Sequence, residues 1–159
     1  ADIGYAVIKK WNAKASLKQR LKTPNAIMAD SATTKVNKHF GPDQVALLRS
    51  IAERDATDRI LVNPAIKREL CDHYSTEKWI RKLRPWYGHA DHFHMRLLCT
   101  SGDKLCKQGA DPLPEGNGCD TTLSWWWSDE AKEETKKNVF KQQNPTMPDL
   151  PAECAAVLK

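Results

Sequence analysis

An α+β fold is predicted, with a central antiparallel sheet flanked by helices and a loop-rich, disulfide-stapled C-terminal tail. Three observations predict it. Short runs rich in β-branched and aromatic residues alternate with runs whose apolar residues recur at helical spacing. Near the middle of the chain, His92 to Leu98 alternates in the manner of a strand with two different faces. Beyond Cys106 this regularity gives way to Pro, Gly and cysteine.

Each element follows from local pattern. Ala1-Asp-Ile-Gly-Tyr-Ala-Val-Ile8 reads as a strand, taken from Ile3 to Lys10. A Lys-rich stretch from Lys14 to Lys22 and a polar segment around Thr23-Pro24 come next. Gly41-Pro42-Asp43 is a good helix start, and Val45, Leu47, Leu48, Ile51 and Ala52 then fall on one helical stripe. Arg59-Ile-Leu-Val-Asn63 has the length and composition of a strand. Pro64 opens a helix with Ile66, Leu70 and Cys71 on one face. A further helix is expected from Ser75 or Thr76 through Leu83, ending before Pro85 because the residue preceding proline avoids helical backbone. After the histidine strand and Cys106, Asp111-Pro-Leu-Pro-Glu-Gly-Asn-Gly-Cys-Asp120 reads as loop, and Trp125, Trp126 and Trp127 precede charged residues running to Lys141. At least two of these rings are expected to clamp the tail onto the core, the other reading being contact with carbohydrate or peptide. Pro145 to Pro151 looks extended. The domain reading is a core over residues 1–127 and a charged, Pro-rich extension over 128–159, packing on that core.

The chemistry concentrates in Trp86-Tyr-Gly-His-Ala-Asp-His-Phe-His-Met-Arg-Leu-Leu-Cys99, where His89, His92 and His94 supply three of the five histidines. On a strand, His92 and His94 share one face while Phe93 and Met95 anchor the other in apolar packing. Imidazole is neutral near pH 7, binds metals readily and exchanges a proton there, so the pair suits a metal centre, a base, or both. The alternative is a merely polar strand face. A zinc centre commonly takes three protein ligands, and Asp2 is the obvious carboxylate candidate, unless it is solvated at the chain end.

Charge and cysteine usage narrow the class further. Residues 1–99 hold 18 Lys/Arg against 10 Asp/Glu, and residues 100–159 hold 7 against 10, so the first part is strongly basic and the tail acidic. A basic surface attracts anionic polymers such as nucleic acid or a cell-wall glycan. No Gly-rich phosphate loop, RNA-binding aromatic signature or helix-turn-helix accompanies the charge, so nucleic acid is not the expected partner. No apolar run approaches the roughly 18 residues of a transmembrane helix. Cys71, Cys99, Cys106, Cys119 and Cys154 lie at wide spacings without a Cys-x-x-Cys pair, which favours disulfides over a zinc ribbon. Cys99 with Cys106 would staple a short turn-rich loop, and Cys71 with Cys119 is the plausible longer crosslink. Cys154 is then left for a partner outside the chain. This usage points to an exported protein.

Taken together, Asp2-Ile3, Arg59-Ile-Leu-Val-Asn-Pro-Ala-Ile-Lys67, Trp79-Ile-Arg-Lys-Leu-Arg-Pro-Trp86, His89-x-x-His92-x-His94 and Gly116-Asn-Gly-Cys-Asp120 resemble the penicillin-insensitive murein endopeptidases. These belong to a broader group of zinc peptidases that includes lysostaphin, D-Ala-D-Ala metallopeptidases and the hedgehog signalling domain. The resemblance runs from the chain start to about Trp127, with a weaker echo at Leu150-Pro-Ala-Glu-Cys154. The stretch from Lys9 to about Pro42 and the charged tail match least.

The resemblance implies a sheet carrying a zinc cleft and a set of roles. The group's motif is His, six residues, Asp, and later His-x-His. Asp2 and His94 match metal ligands, and His92 matches the catalytic first His of the final pair, whereas ligand counting alone would recruit His92 as a third ligand. The opening His would lie upstream of Ala1, so an N-terminal segment is expected to supply that ligand and a cysteine for Cys154. His89 is expected at the cleft mouth, donating to the oxyanion or orienting substrate, or else is a hydrogen-bonded loop histidine. The implied activity is zinc-dependent hydrolysis of D-alanyl to meso-diaminopimelyl crosslinks in periplasmic peptidoglycan, without a covalent acyl-enzyme. The competing readings are a non-catalytic wall-binding or structural relative, and a fragment inactive without its upstream segment.

Overall fold

A computed structural model describes residues 1–7, 27–30, 34–104, 106 and 112–143. The expectations for Ile8 to Lys10, Lys14 to Lys22, Thr23-Pro24, Pro145 to Pro151 and Cys154 lie outside them.

Among the described residues a four-stranded sheet is assembled from β1 (Asp2–Gly4), β2 (Thr57–Val62), β3 (Leu83–Pro85) and β4 (His92–Leu97), in the order β1-β4-β2-β3. β4 pairs antiparallel with both β1 and β2. The sheet is not wholly antiparallel as expected, because β3 runs parallel to β2. The chain between them forms α2 (Pro64–Tyr74) and a 3-10 helix (Lys78–Lys82), the crossover that a parallel pair requires. The third expected helix is therefore a short 3-10 turn followed by an edge strand. Its later residues are diverted by tertiary contacts: Ile80 and Leu83 are fully buried, Leu83 pairs with Ile60, and the Ile80 carbonyl accepts from Lys67 Nζ at 2.8 Å. Pro85 is tolerated because β3 is at the sheet edge.

Alternation divides the sheet into two faces. Ile60, Val62, Leu83 and Phe93 are all fully buried on one of them. Leu48 of α1 (Pro42–Ala52) and Ile66 and Leu70 of α2 are likewise fully buried. Tyr5 joins this core with its ring centroid 5.3 Å from Phe93 and 6.5 Å from Phe40. Burying each such side chain contributes about 1.5–3 kcal/mol, which makes the apolar face the main determinant of strand register. The opposite face carries Asp2, His92, His94, Arg96, Arg59, Leu61 and Arg84, as the pairings Asp2↔His94, Leu61↔His94, Arg59↔Arg96 and Leu61↔Arg84 require.

Local caps fix the connections. Asn63 Oδ1 accepts from Ala65 N at 2.9 Å to start α2, while its Nδ2 donates to the Gly88 carbonyl at 2.7 Å, tying that helix to the loop before the histidines. Disulfides join Cys71 to Cys119 and Cys99 to Cys106, as the spacing suggested. Trp126, in a 3-10 helix at Thr121–Trp127, packs 4.9 Å from Tyr87 and 6.2 Å from Trp86.

Contacts group the chain into two compact units, Ala1–Trp126 and Trp127–Lys159. The second contains α3 (Asp129–Gln143), which the sequence reading passed over as a charged run. Ser128 Oγ accepts from Ala131 N at 3.1 Å, and Lys132–Asp129 and Lys136–Glu133 pairs line the exposed side. No helix among the described residues is long and apolar enough to cross a membrane.

Candidate metal centre and active site

His92 and His94 reach the same face because Phe93 between them is locked in the core. β1 then brings Asp2 directly opposite His94, with Asp2 Oδ1 2.8 Å from His94 Nε2. The first strand thus does for Asp2 what sequence separation conceals. His92 Nε2 lies 3.2 Å from His94 Nε2.

His89 arrives by a tight turn. Gly88 at φ +66° and His89 at φ +56° both sit in the left-handed region, costly for His89 and free for Gly88, and the turn folds the His89 ring back over β4. Its ring centroid is 4.4 Å from that of His94 and 5.1 Å from that of His92. His89, expected at the cleft mouth, is only 8% exposed.

Hydrogen bonds fix the protonation of these rings. A backbone carbonyl can only accept, so His89 Nδ1 carries the proton that it donates to the Tyr87 carbonyl at 2.5 Å. Its Nε2 is then a buried lone pair, and it has no hydrogen-bond partner among the described residues. Burial is the main cause that lowers the His89 pKa, reinforced by His94 and His92 and opposed by the Tyr87 carbonyl, so the ring stays neutral. By the same logic His92 Nδ1 donates to Asp91 Oδ1 at 2.7 Å, and His92 Nε2 faces His94. That bond is also the main reason the Asp91 carboxyl is held below its ordinary pKa.

The donor set fits a borderline divalent ion. One ring nitrogen from each of His89, His92 and His94 lies within 4.8 Å of the others, and the Asp2 carboxylate adds an anionic oxygen. A buried imidazole lone pair without a proton to accept is costly unless something fills it. A cation beside His94 Nε2 would answer both features.

All four expected site residues, Asp2, His89, His92 and His94, are therefore brought together. The sequence reading missed Asp91, although it directly precedes His92. It also missed Tyr87 and Asn63, which act through backbone geometry that no pattern of residue types displays.

The whole chain, residues 1–159, matches the family described as penicillin-insensitive murein endopeptidase. A penicillin-insensitive murein endopeptidase of Klebsiella pneumoniae subsp. pneumoniae is 36% identical over 152 residues, covering 94% of this chain and 52% of that relative. One from Salmonella arizonae is 38% identical over 124 residues, covering 77% of this chain and 43% of the relative. The chain spans about half the length of the curated relatives it matches.

Proposed function

Because the chain belongs to the penicillin-insensitive murein endopeptidase family, we propose that it is a zinc-dependent peptidase of the bacterial periplasm that hydrolyses D-alanyl-meso-diaminopimelyl crosslinks in peptidoglycan. The observation that supports this most is the approach of Asp2 Oδ1 to His94 Nε2 at 2.8 Å, beside a second imidazole oriented by its own carboxylate. Residues 1–127 are assigned the chemistry, and 128–159 an extension of it.

Asp2 and His94 would hold the zinc. When bound, zinc supplies Lewis acidity, lowering the pKa of a water to about 7 and polarising the scissile carbonyl. His92 is the general base. Its Nδ1–H is held by Asp91, so Nε2 is the atom that takes the proton of the attacking water and returns it to the leaving amine, and the adjacent carboxylate stabilises the imidazolium formed in between. His89 orients substrate. As a neutral ring with its proton committed to Tyr87, it accepts at Nε2, receiving a substrate N–H in place of the oxyanion donation first expected of it.

Hydrolysis of this kind needs no serine acyl-enzyme, and penicillin acts by acylating a serine. Ser75-Thr-Glu-Lys78 and Ser101-Gly-Asp-Lys104 have the spacing of a serine acylation motif, but both serines and Lys104 are exposed on turns, and Lys78 is exposed at the start of the 3-10 helix.

Zinc content measured beside a crosslinked muropeptide digest tests the assignment. His94→Ala is expected to lose zinc, and His92→Ala to keep zinc but lose turnover. The opposite pattern overturns the roles, and a zinc-bearing protein that binds murein without cutting it would be a non-catalytic wall-binding relative.

A further inference from the structure

The face that presents the histidines continues across the sheet to a cavity of about 350 Å3 whose lining includes Arg59, Arg84, Arg96, Leu61, Trp86 and Trp126. The row Asp2, His94, Leu61, Arg84 crosses all four strands. With neighbouring strands about 4.8 Å apart, Arg84 stands about 10 Å from His94, backbone to backbone. An extended peptide covers that in about three residues.

Asp58, 8% exposed, pairs with Arg59 at 2.9 Å and lies 3.6 Å from Arg96 Nε, so one buried carboxylate is shared by two guanidiniums. Arg84 Nη1 is buried and has no hydrogen-bond partner among the described residues. Asp120 is the acid that acts on Arg84, but it is exposed and accepts from Thr122 N and Oγ1. Burial and the like charges of Arg59 and Arg81 make the Arg84 cation less favourable than usual, the situation an incoming anion relieves.

The position of Arg84 is built, not incidental. A Cβ on Gly118 would stand 2.9 Å from Arg84 Nη1, and Gly118 holds φ +64°, so the loop backbone closes against the guanidinium only because that residue is glycine. Cys119, bonded to Cys71, and Asn117, whose carbonyl accepts from the buried Lys67 Nζ at 2.5 Å, pin that loop on both sides. The aromatic wall is joined to the histidines as well: Trp86 and Trp126 pack on Tyr87, whose carbonyl holds His89.

We propose that this cavity is a substrate subsite that takes a free carboxylate of the peptide about three residues from the bond cleaved, between Arg84 and Arg96, with the stem packed on Trp86 and Trp126. The assignment rests on the peptidase reading above and names where its substrate is held. A planar carboxylate suits it because guanidinium forks bind such groups in bidentate fashion.

The test is calorimetric titration of the zinc-loaded full chain, in its His92→Ala form so that binding is read without turnover. The probe is a crosslinked murein stem-peptide dimer, once with its carboxylates free and once with them amidated. The free form is expected to bind at least tenfold more tightly. Arg84→Gln and Arg96→Gln, each introduced into the same chain, are expected to bring the two affinities within about twofold. Should Arg84→Gln fail to fold, Arg96→Gln and the amidated probe still decide. Equal affinity for the two probes, or a preference that survives in a folded arginine variant, overturns the subsite while leaving the peptidase reading intact. If neither probe binds, both fall together.

Discussion

Replacing Lys67 by methionine should change how stability depends on pH, because Lys67 is a fully buried amine. Desolvation, with Arg84 adding to it and Asp120 opposing it, lowers the Lys67 pKa from 10.5 to about 7. The unfolded chain therefore keeps its proton between about pH 7 and 10.5 while the folded chain has released it. With more protons on the unfolded state, stability rises with pH across that window, by up to about 1.4 kcal/mol per pH unit and on the order of 5 kcal/mol in all. Below pH 7 both states are protonated and the penalty is constant and complete. Methionine removes the titration, but it also leaves the Ile80 and Asn117 carbonyls without the donor that Lys67 Nζ provides at 2.8 and 2.5 Å. Each orphaned carbonyl costs about 1–3 kcal/mol. At pH 10 the variant should accordingly be about 2–4 kcal/mol less stable than the parent, and near pH 6 the deficit should vanish or reverse. Urea midpoints for the two proteins from pH 6 to 10, disulfides intact, give the comparison directly. Parallel curves would refute the reasoning, since they would mean that Lys67 stays charged in the fold.

Other substitutions probe the site and its supports. Asp91→Asn should retain zinc but lower kcat about 10–100-fold, because the carboxylate that orients His92 and stabilises its charged form is gone; metal analysis with steady-state kinetics checks this. Cys71→Ser with Cys119→Ser should destabilise the chain by about 4 kcal/mol, the entropy of opening a crosslink with a sequence separation of 48, read from guanidinium denaturation. Gly118→Ala should cost about 1–2 kcal/mol for its positive φ, with a further displacement of Arg84, so its thermal melt should fall.

Legibility in the sequence followed the range of the interactions. The His92–His94 face could be read because alternation and the core anchor Phe93 are both local. The two disulfides were legible for a similar reason: Cys99 and Cys106 bracket one turn, and few partners remained for Cys71. The pairing of Asp2 with His94 is a register between strands at opposite ends of the core, so only a resemblance, not periodicity, could suggest it. β3 escaped notice because Leu83-Arg-Pro85 is too short to show alternation and becomes a strand only by pairing with Ile60, Leu61 and Val62. The helix at Asp129–Gln143 was missed for the opposite reason: its salt-bridged surface carries little apolar periodicity, although Ser128 followed by Asp129 and Glu130 marks its start. The arginine cavity was invisible because Arg59, Arg84 and Arg96 come from three strands and read one at a time as ordinary surface charge.

The central claim is that the acid of the first strand and an imidazole of the fourth grip one ion. A crystal structure of the zinc-loaded chain tests it: an Asp2 carboxylate oxygen and a His94 ring nitrogen should each lie about 2.0–2.2 Å from the same metal, with Asp91 still bonded to His92. Zinc bound with Asp2 and His94 turned to different places, or bound through His92 in place of His94, would contradict it.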